Sequence, residues 1–128
     1  MTGQVGAYSN AQIQRSGNRI EVKSQNPQER NWEIELGEDK IVARTTDNGQ
    51  GKNYQQHSVT MHGDHADVFQ FYHARGASGG GPSQIKFESP VAPSDYQRVG
   101  LGITASLIGV PSLAAATSEA CSRCGCGG

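Results

Sequence analysis

Aromatic side chains are scarce in this chain, at 6% of residues with a single Trp, and no cysteine occurs before Cys121. With 34% hydrophobic residues over 128 positions, the chain can bury one modest core and has too little apolar material for a second independent domain. A disulfide framework distributes its cysteines through the fold that it staples. Three cysteines crowded at 121, 124 and 126 therefore leave the body of the protein to fold without covalent ties.

An excess of charge of either sign is missing as well. The 11 Lys and Arg nearly cancel the 12 Asp and Glu, and neither sign forms a block, which removes the electrostatic footprint of a nucleic-acid partner or an anionic membrane surface. The start, Met1 to Asn10, has neither a basic end nor an apolar stretch of signal-peptide type. The expected location is the cytoplasm, or the exterior by a specialised export route. From Val5 to Glu88 no segment has the periodicity of an amphipathic helix.

What fills that span is short apolar/polar alternation broken by Gly, Asn, Asp and Pro, the pattern of strands joined by turns. Arg19-Ile20-Glu21-Val22-Lys23 places Ile20 and Val22 on one face, after a turn at Ser16-Gly17-Asn18. Asn31 to Leu36 turns Trp32, Ile34 and Leu36 inward, and Gly37-Glu38-Asp39 reverses the chain into Lys40 to Arg44 as a hairpin. A second hairpin is expected from Tyr54–Met61 and Ala66–His73, closed by His62-Gly63-Asp64-His65, with Val59 facing Val68. Thr46 to Asn53 reads as an exposed loop and a candidate binding edge, and Ala74 to Pro82 as a free, unpacked loop before a last strand from Ser83 to Glu88. With a first strand between Val5 and Gln14, the expectation is an all-β domain over residues 1–93: a small antiparallel sandwich or barrel of about seven strands.

The composition then changes. Val99 to Ser118 carries no charge, and residues 94–128 read as a Gly/Ala/Ser-rich tail ending in cysteines. Gly100, Gly102, Thr104, Ser106, Gly109, Pro111 and Ser112 dilute it for a membrane span, so membrane contact through the tail ranks below a short helix over Ile103 to Ile108, packed on the β domain or on a neighbour.

Two donor clusters bear on metal chemistry. His62 and His65 flank one tight turn and could share Zn²⁺ or Cu²⁺, with Asp64 or Asp67 adding an oxygen, while His57 points to the other face of the ribbon. The competing reading makes His62 and His65 ordinary polar residues at a hairpin end, and His57 and His73 partly buried strand residues. The second cluster is Cys121, Cys124 and Cys126, whose CxxCxC spacing can turn three thiolates toward one zinc or copper ion. That spacing resembles the cysteine claw of nitrile hydratase α subunits over six residues, with Gly125 where that family has a serine; no activity is carried over. The run Ala116 to Cys121, below Ser and Thr at 104, 106 and 112, is loosely similar to the ends of lanthipeptide precursors, a resemblance that implies dehydrated Ser/Thr accepting Cys thiols. Gly127-Gly128 is similar to the diglycine ends of sulfur carriers.

Candidate acids and bases such as His73 and Glu88 lie on separate strands with no motif linking them, so no catalytic residue is assigned and an enzyme is not expected. The leading expectation is a non-enzymatic binding or structural module that meets a protein partner or its own copies. The alternatives are a carrier for a modified C-terminal peptide and a metal-binding protein using the thiolate tail.

Overall fold

In the computed structural model of the chain, the residues described are 11–26, 28–47, 53–74 and 77–115. Seven strands follow one another as β1 (Ala11–Ser16), β2 (Arg19–Ser24), β3 (Trp32–Leu36), β4 (Lys40–Thr45), β5 (Tyr54–Met61), β6 (His65–Ala74) and β7 (Ala77–Lys86). All neighbours are antiparallel, and the spatial order is the sequence order, a meander. Both expected hairpins form, and Val59 faces Val68.

Because directly paired residues share a face, the register collects the apolar positions on one side. Ile20 pairs with Ile34, Val22 with Trp32, Leu36 with Ile41 and Ile41 with Val59. These residues are buried together with Ala43, Met61, Ala66 and Val68. The opposite face carries Arg19, Glu33, Glu35 and Arg44, joined in the pairs Arg19–Glu33 and Arg44–Glu35. The alternation of the sequence is thus the alternation of a sheet with one wet face.

The all-β reading with about seven antiparallel strands is met, but the closure is neither of the two expected. The strands make a single sheet that is not a closed barrel. Its apolar face is covered by helix α1 (Tyr96–Ile108) instead of a second sheet. The uncharged stretch supplies that cover. Leu101, Ala105, Ile108, Val110 and Leu113 are buried against β2 to β4, and Val99, Ile103 and Leu107 pack on Val59, Met61, Ala66 and Val68. Each fully buried aliphatic side chain contributes on the order of 1.5–3 kcal/mol.

The helix is longer than the expected Ile103 to Ile108. Pro93 starts a 3-10 turn that leads directly into it, and Gly109, at φ 75°, ends it. The N–H groups of Gly109 and Val110 both return to the Ala105 carbonyl, satisfying end groups that would otherwise be orphaned. At Gly100 the helix comes so close to the sheet that a Cβ there would lie 2.7 Å from Ile41 Cδ1. The buried Thr104 hydroxyl donates to the Gly100 carbonyl at 2.8 Å, so it enters the core satisfied.

The expected free loop over Ala74 to Pro82 is corrected: from Ala77 this segment is strand, pairing with β6 along its whole length. The glycines fit the strand because of what lies beside them. A Cβ on Gly79 would run into the Tyr72 hydroxyl and the ring edge that bears it, and one on Gly80 would overlap the Gln70 carbonyl oxygen. Gly80 has φ +132°, a conformation that side chains rarely adopt. Pro82, which has no N–H to donate, is tolerated because β7 is an outer strand of the sheet.

Gly80→Ala is expected to lower stability by about 1–3 kcal/mol through loosening of β7. Gly81→Ala, with nothing within 4 Å of its Cβ, is expected to stay near wild type. Urea unfolding of the two variants side by side checks this; equal midpoints would remove the close approach as the reason for the glycine run.

Candidate functional site

Among the described residues, the turn between β5 and β6 gathers a set of three ligand-type side chains, His62, His65 and Asp67. Backbone pairing continues to the turn itself, with the His62 N–H donating to the His65 carbonyl at 2.8 Å. This places His62 and His65 side by side on the outer face, their rings stacked at 4.5 Å between centroids and 19° between planes. Asp67, two residues along β6, is on the same face by the strand's period of two. His62 Nε2 lies 3.0 Å from Asp67 Oδ2, and His65 Nε2 lies 3.7 Å from Asp67 Oδ1. One donor atom from each of the three falls within 4.8 Å of the other two.

The surrounding groups fix these three. Asp64 holds His65 Nδ1 at 2.6 Å, and the Gln84 amide donates to Asp67 Oδ1 at 3.3 Å. The hydrogen bond to His65 is the largest influence that keeps the Asp64 carboxyl below its ordinary pKa. For Asp67 the Gln84 amide comes first, followed by His62 and the charge of both imidazoles. Both aspartates are therefore anionic acceptors over the neutral range. Gln84 escaped the sequence reading because the register of β7 was hidden by its glycines; the signal available was the alternation that resumes at Ser83.

His57 points to the other face, as expected. It faces Trp32 with ring centroids 5.5 Å apart and planes tilted by 48°. Its Nδ1 is buried without a hydrogen-bond partner, and burial lowers the pKa of the ring from its ordinary value. His73, expected to be partly buried, is exposed near the end of β6. It pairs with Ser78, whereas His65 at the other end pairs with Lys86. Glu88 follows Lys86, so His73 and Glu88 are separated by the length of the strand, roughly 25 Å at about 3.3 Å per residue. The structure does not bring them together.

Two depressions lie elsewhere on the described surface. A depression lined by Asn18, Glu35, Leu36, Gly37, Lys40 and Val42 and another lined by Glu38, Asp39, Pro93, Ser94 and Tyr96 contain neither histidine nor cysteine. The outer face of β5 to β7 instead carries an aromatic strip. Phe69 is 46% exposed and pairs with Pro82, and Tyr54 meets Phe71 edge to face at 6.1 Å.

Cys121, Cys124 and Cys126 lie outside the described residues, as does most of the loop from Thr46 to Asn53. Among the described residues no helix is long and apolar enough to cross a membrane. Comparison with protein-family models, curated proteins and solved structures finds no match to this chain. The chemistry of the surface therefore stands on its own residues.

His57 makes a pH test possible. Its folded-state pKa is depressed, so the folded protein keeps the ring neutral while the unfolded chain takes up a proton near the ordinary value of about 6.5. The unfolded state then binds more protons, and stability falls as pH drops from about 6.5 toward the lower folded-state value. His57→Phe is expected to flatten this part of the Tm-against-pH curve. Parallel curves for wild type and variant would show that His57 is not its source.

Proposed function

We propose that the protein is a non-enzymatic assembly module that binds its own copies through the uncovered face of the sheet, over the strip made by Phe69, Phe71, Tyr54 and Pro82. The observation that carries this reading is Phe69. Its ring is 46% exposed in the middle of a ten-residue strand, on a face that no described element covers. A ring held on a regular strand loses little freedom on binding, and desolvating it contributes roughly 25 cal/mol per Å².

The charge pattern favours a second copy over a foreign partner. The neighbouring Arg19–Glu33 and Arg44–Glu35 pairs are satisfied within the chain, and the net charge is −1. Such a surface has no field to steer a highly charged partner, and it does not repel its own kind. A two-fold axis through the strip lays like on like, which is the self-complementarity of an isologous contact. The surface offered for binding is then a sheet face, in place of the two loops that the sequence alone suggested.

Sedimentation velocity of the full chain under reducing conditions, across a range of concentrations, tests this. Self-association is expected in the wild type. Phe69→Ser is expected to weaken it about thirtyfold, the size of a 2 kcal/mol hot-spot loss, while Tm stays close to that of the wild type as for other exposed positions. A wild-type chain that remains monomeric throughout ends the proposal.

A further inference from the structure

We infer that His62, His65 and Asp67 form a three-ligand site for a divalent transition-metal ion, best matched by Zn²⁺, with the fourth position open to water. The donor chemistry is two imidazole nitrogens and one carboxylate oxygen, which suits an ion of intermediate softness and disfavours Ca²⁺ or Mg²⁺, which take oxygen ligands.

Four observations, independent of the assembly reading, converge on this. The three side chains come from one hairpin end whose backbone is hydrogen-bonded up to the turn, so they are held in place before any ion arrives. Both Nε2 atoms are directed at a single carboxylate, at 3.0 and 3.7 Å. A tetrahedral ion with bonds of about 2.0–2.1 Å spaces its ligand atoms about 3.3 Å apart, and the separations here run from 3.0 Å to no more than 4.8 Å. The ion takes the place of the proton now held between His62 Nε2 and Asp67 Oδ2, and small side-chain rotations close the remaining gap.

The fourth observation separates this cluster from a chance meeting of polar groups. His65 Nδ1 sits against the Asp64 carboxylate at 2.6 Å, which fixes the proton on Nδ1 and leaves the Nε2 lone pair facing Asp67. A carboxylate behind a ligating histidine is the arrangement that orients metal-bound imidazoles and raises their basicity. Gln84 does the corresponding job for Asp67, donating to Oδ1 and leaving Oδ2 toward His62. The site thus has ligands and a supporting layer, with its open side to solvent. His62 and Asp67 are half exposed, so substituting them disturbs no core contact.

The cysteines at 121, 124 and 126 would compete for the same ions, so the test uses the full-length, tag-free chain with all three changed to Ser. Calorimetric titration with Zn²⁺ is expected to give one ion per chain. His62→Ala, His65→Ala and Asp67→Asn should each weaken binding at least tenfold, and Asp64→Asn, which removes only the support of His65, about 10–100-fold. Imidazole ¹⁵N spectra should show the Nε2 signals of His62 and His65, and not those of His57 or His73, moving on addition of Zn²⁺. Absence of Zn²⁺ binding in the Cys-free chain overturns the proposal, as does binding that the His62, His65 and Asp67 substitutions leave unchanged.

Discussion

An antiparallel sheet with one apolar face has to cover that face, and among the described residues the cover is one α-helix of 13 residues with the short segment that follows it. The contact at Gly100 decides how well it does so. With no side chain at that position the helix axis comes down onto Ile41 and Met61, which brings Leu101, Ala105 and Ile108 to one side and Val99, Ile103 and Leu107 to the other within reach of the strands. A bulkier residue would lift the helix and open gaps along its whole length, because cores of this kind are close-packed. The exits depend on the same seat: Val110 and Leu113 are buried only because Gly109 turns the chain back over the sheet.

The size of the cover also explains what stays bare. Seven strands at about 4.8 Å spacing span roughly 30 Å, while a helix with its side chains is about 10–12 Å across. The helix sits over β4 and β5, so the far strand on the apolar side is reached only in part: Ile85 is 37% exposed and Tyr72 47%. Tyr72 has a use there, since its ring lies across Gly79 and covers backbone that would otherwise face water. Aromatic cover of a strand glycine lets β7 pair fully despite its composition, and Pro82 together with the unusual backbone at Gly80 blunts the outer strand against pairing with another chain.

Most of the strand plan was legible because it depends on local alternation. Ile20 and Val22, Trp32 to Leu36, and the His62 to His65 turn each declare their faces within a few residues. The places where the reading fell short depend on distant partners. Nothing within Ala77 to Pro82 announces a strand, because what makes it one is the Tyr72 ring and the Gln70 backbone across the pair. Whether seven strands close on themselves or stay flat enough to take a helix depends equally on long-range packing, and the uncharged composition after Val99 fits several docking modes. The histidine pair was legible from the turn chemistry at Gly63 and Asp64. Its support was less so: Asp67 could be listed beside Asp64 as an oxygen donor, but the division of labour, Asp67 in front of the imidazoles and Asp64 behind His65, follows from strand period and turn geometry acting together.

The two faces of the sheet are consequently specialised by the same two-residue period. On the inner face the alternate residues from β2 to β5 and the start of β6 are mostly buried under the helix, and the polar exceptions show the cost of that commitment: Thr45 has to bond both the N–H and the carbonyl of Gln55, and His57 is left with a buried nitrogen lacking a partner. On the outer face no described element packs against the strands, so side chains there are not fixed by a core. That freedom is used unevenly. Across β2 to β4 it holds short-range ion pairs of alternating sign, which are worth little to stability but keep the surface wet and neutral. Across β5 and β6 it holds rings along the strands and imidazoles with carboxylates at the turn. Among the described residues, the exposed ring of Phe69 and the His62–His65–Asp67 group thus share one hairpin, because the period of two that turns Val59 and Val68 toward the helix turns their neighbours outward.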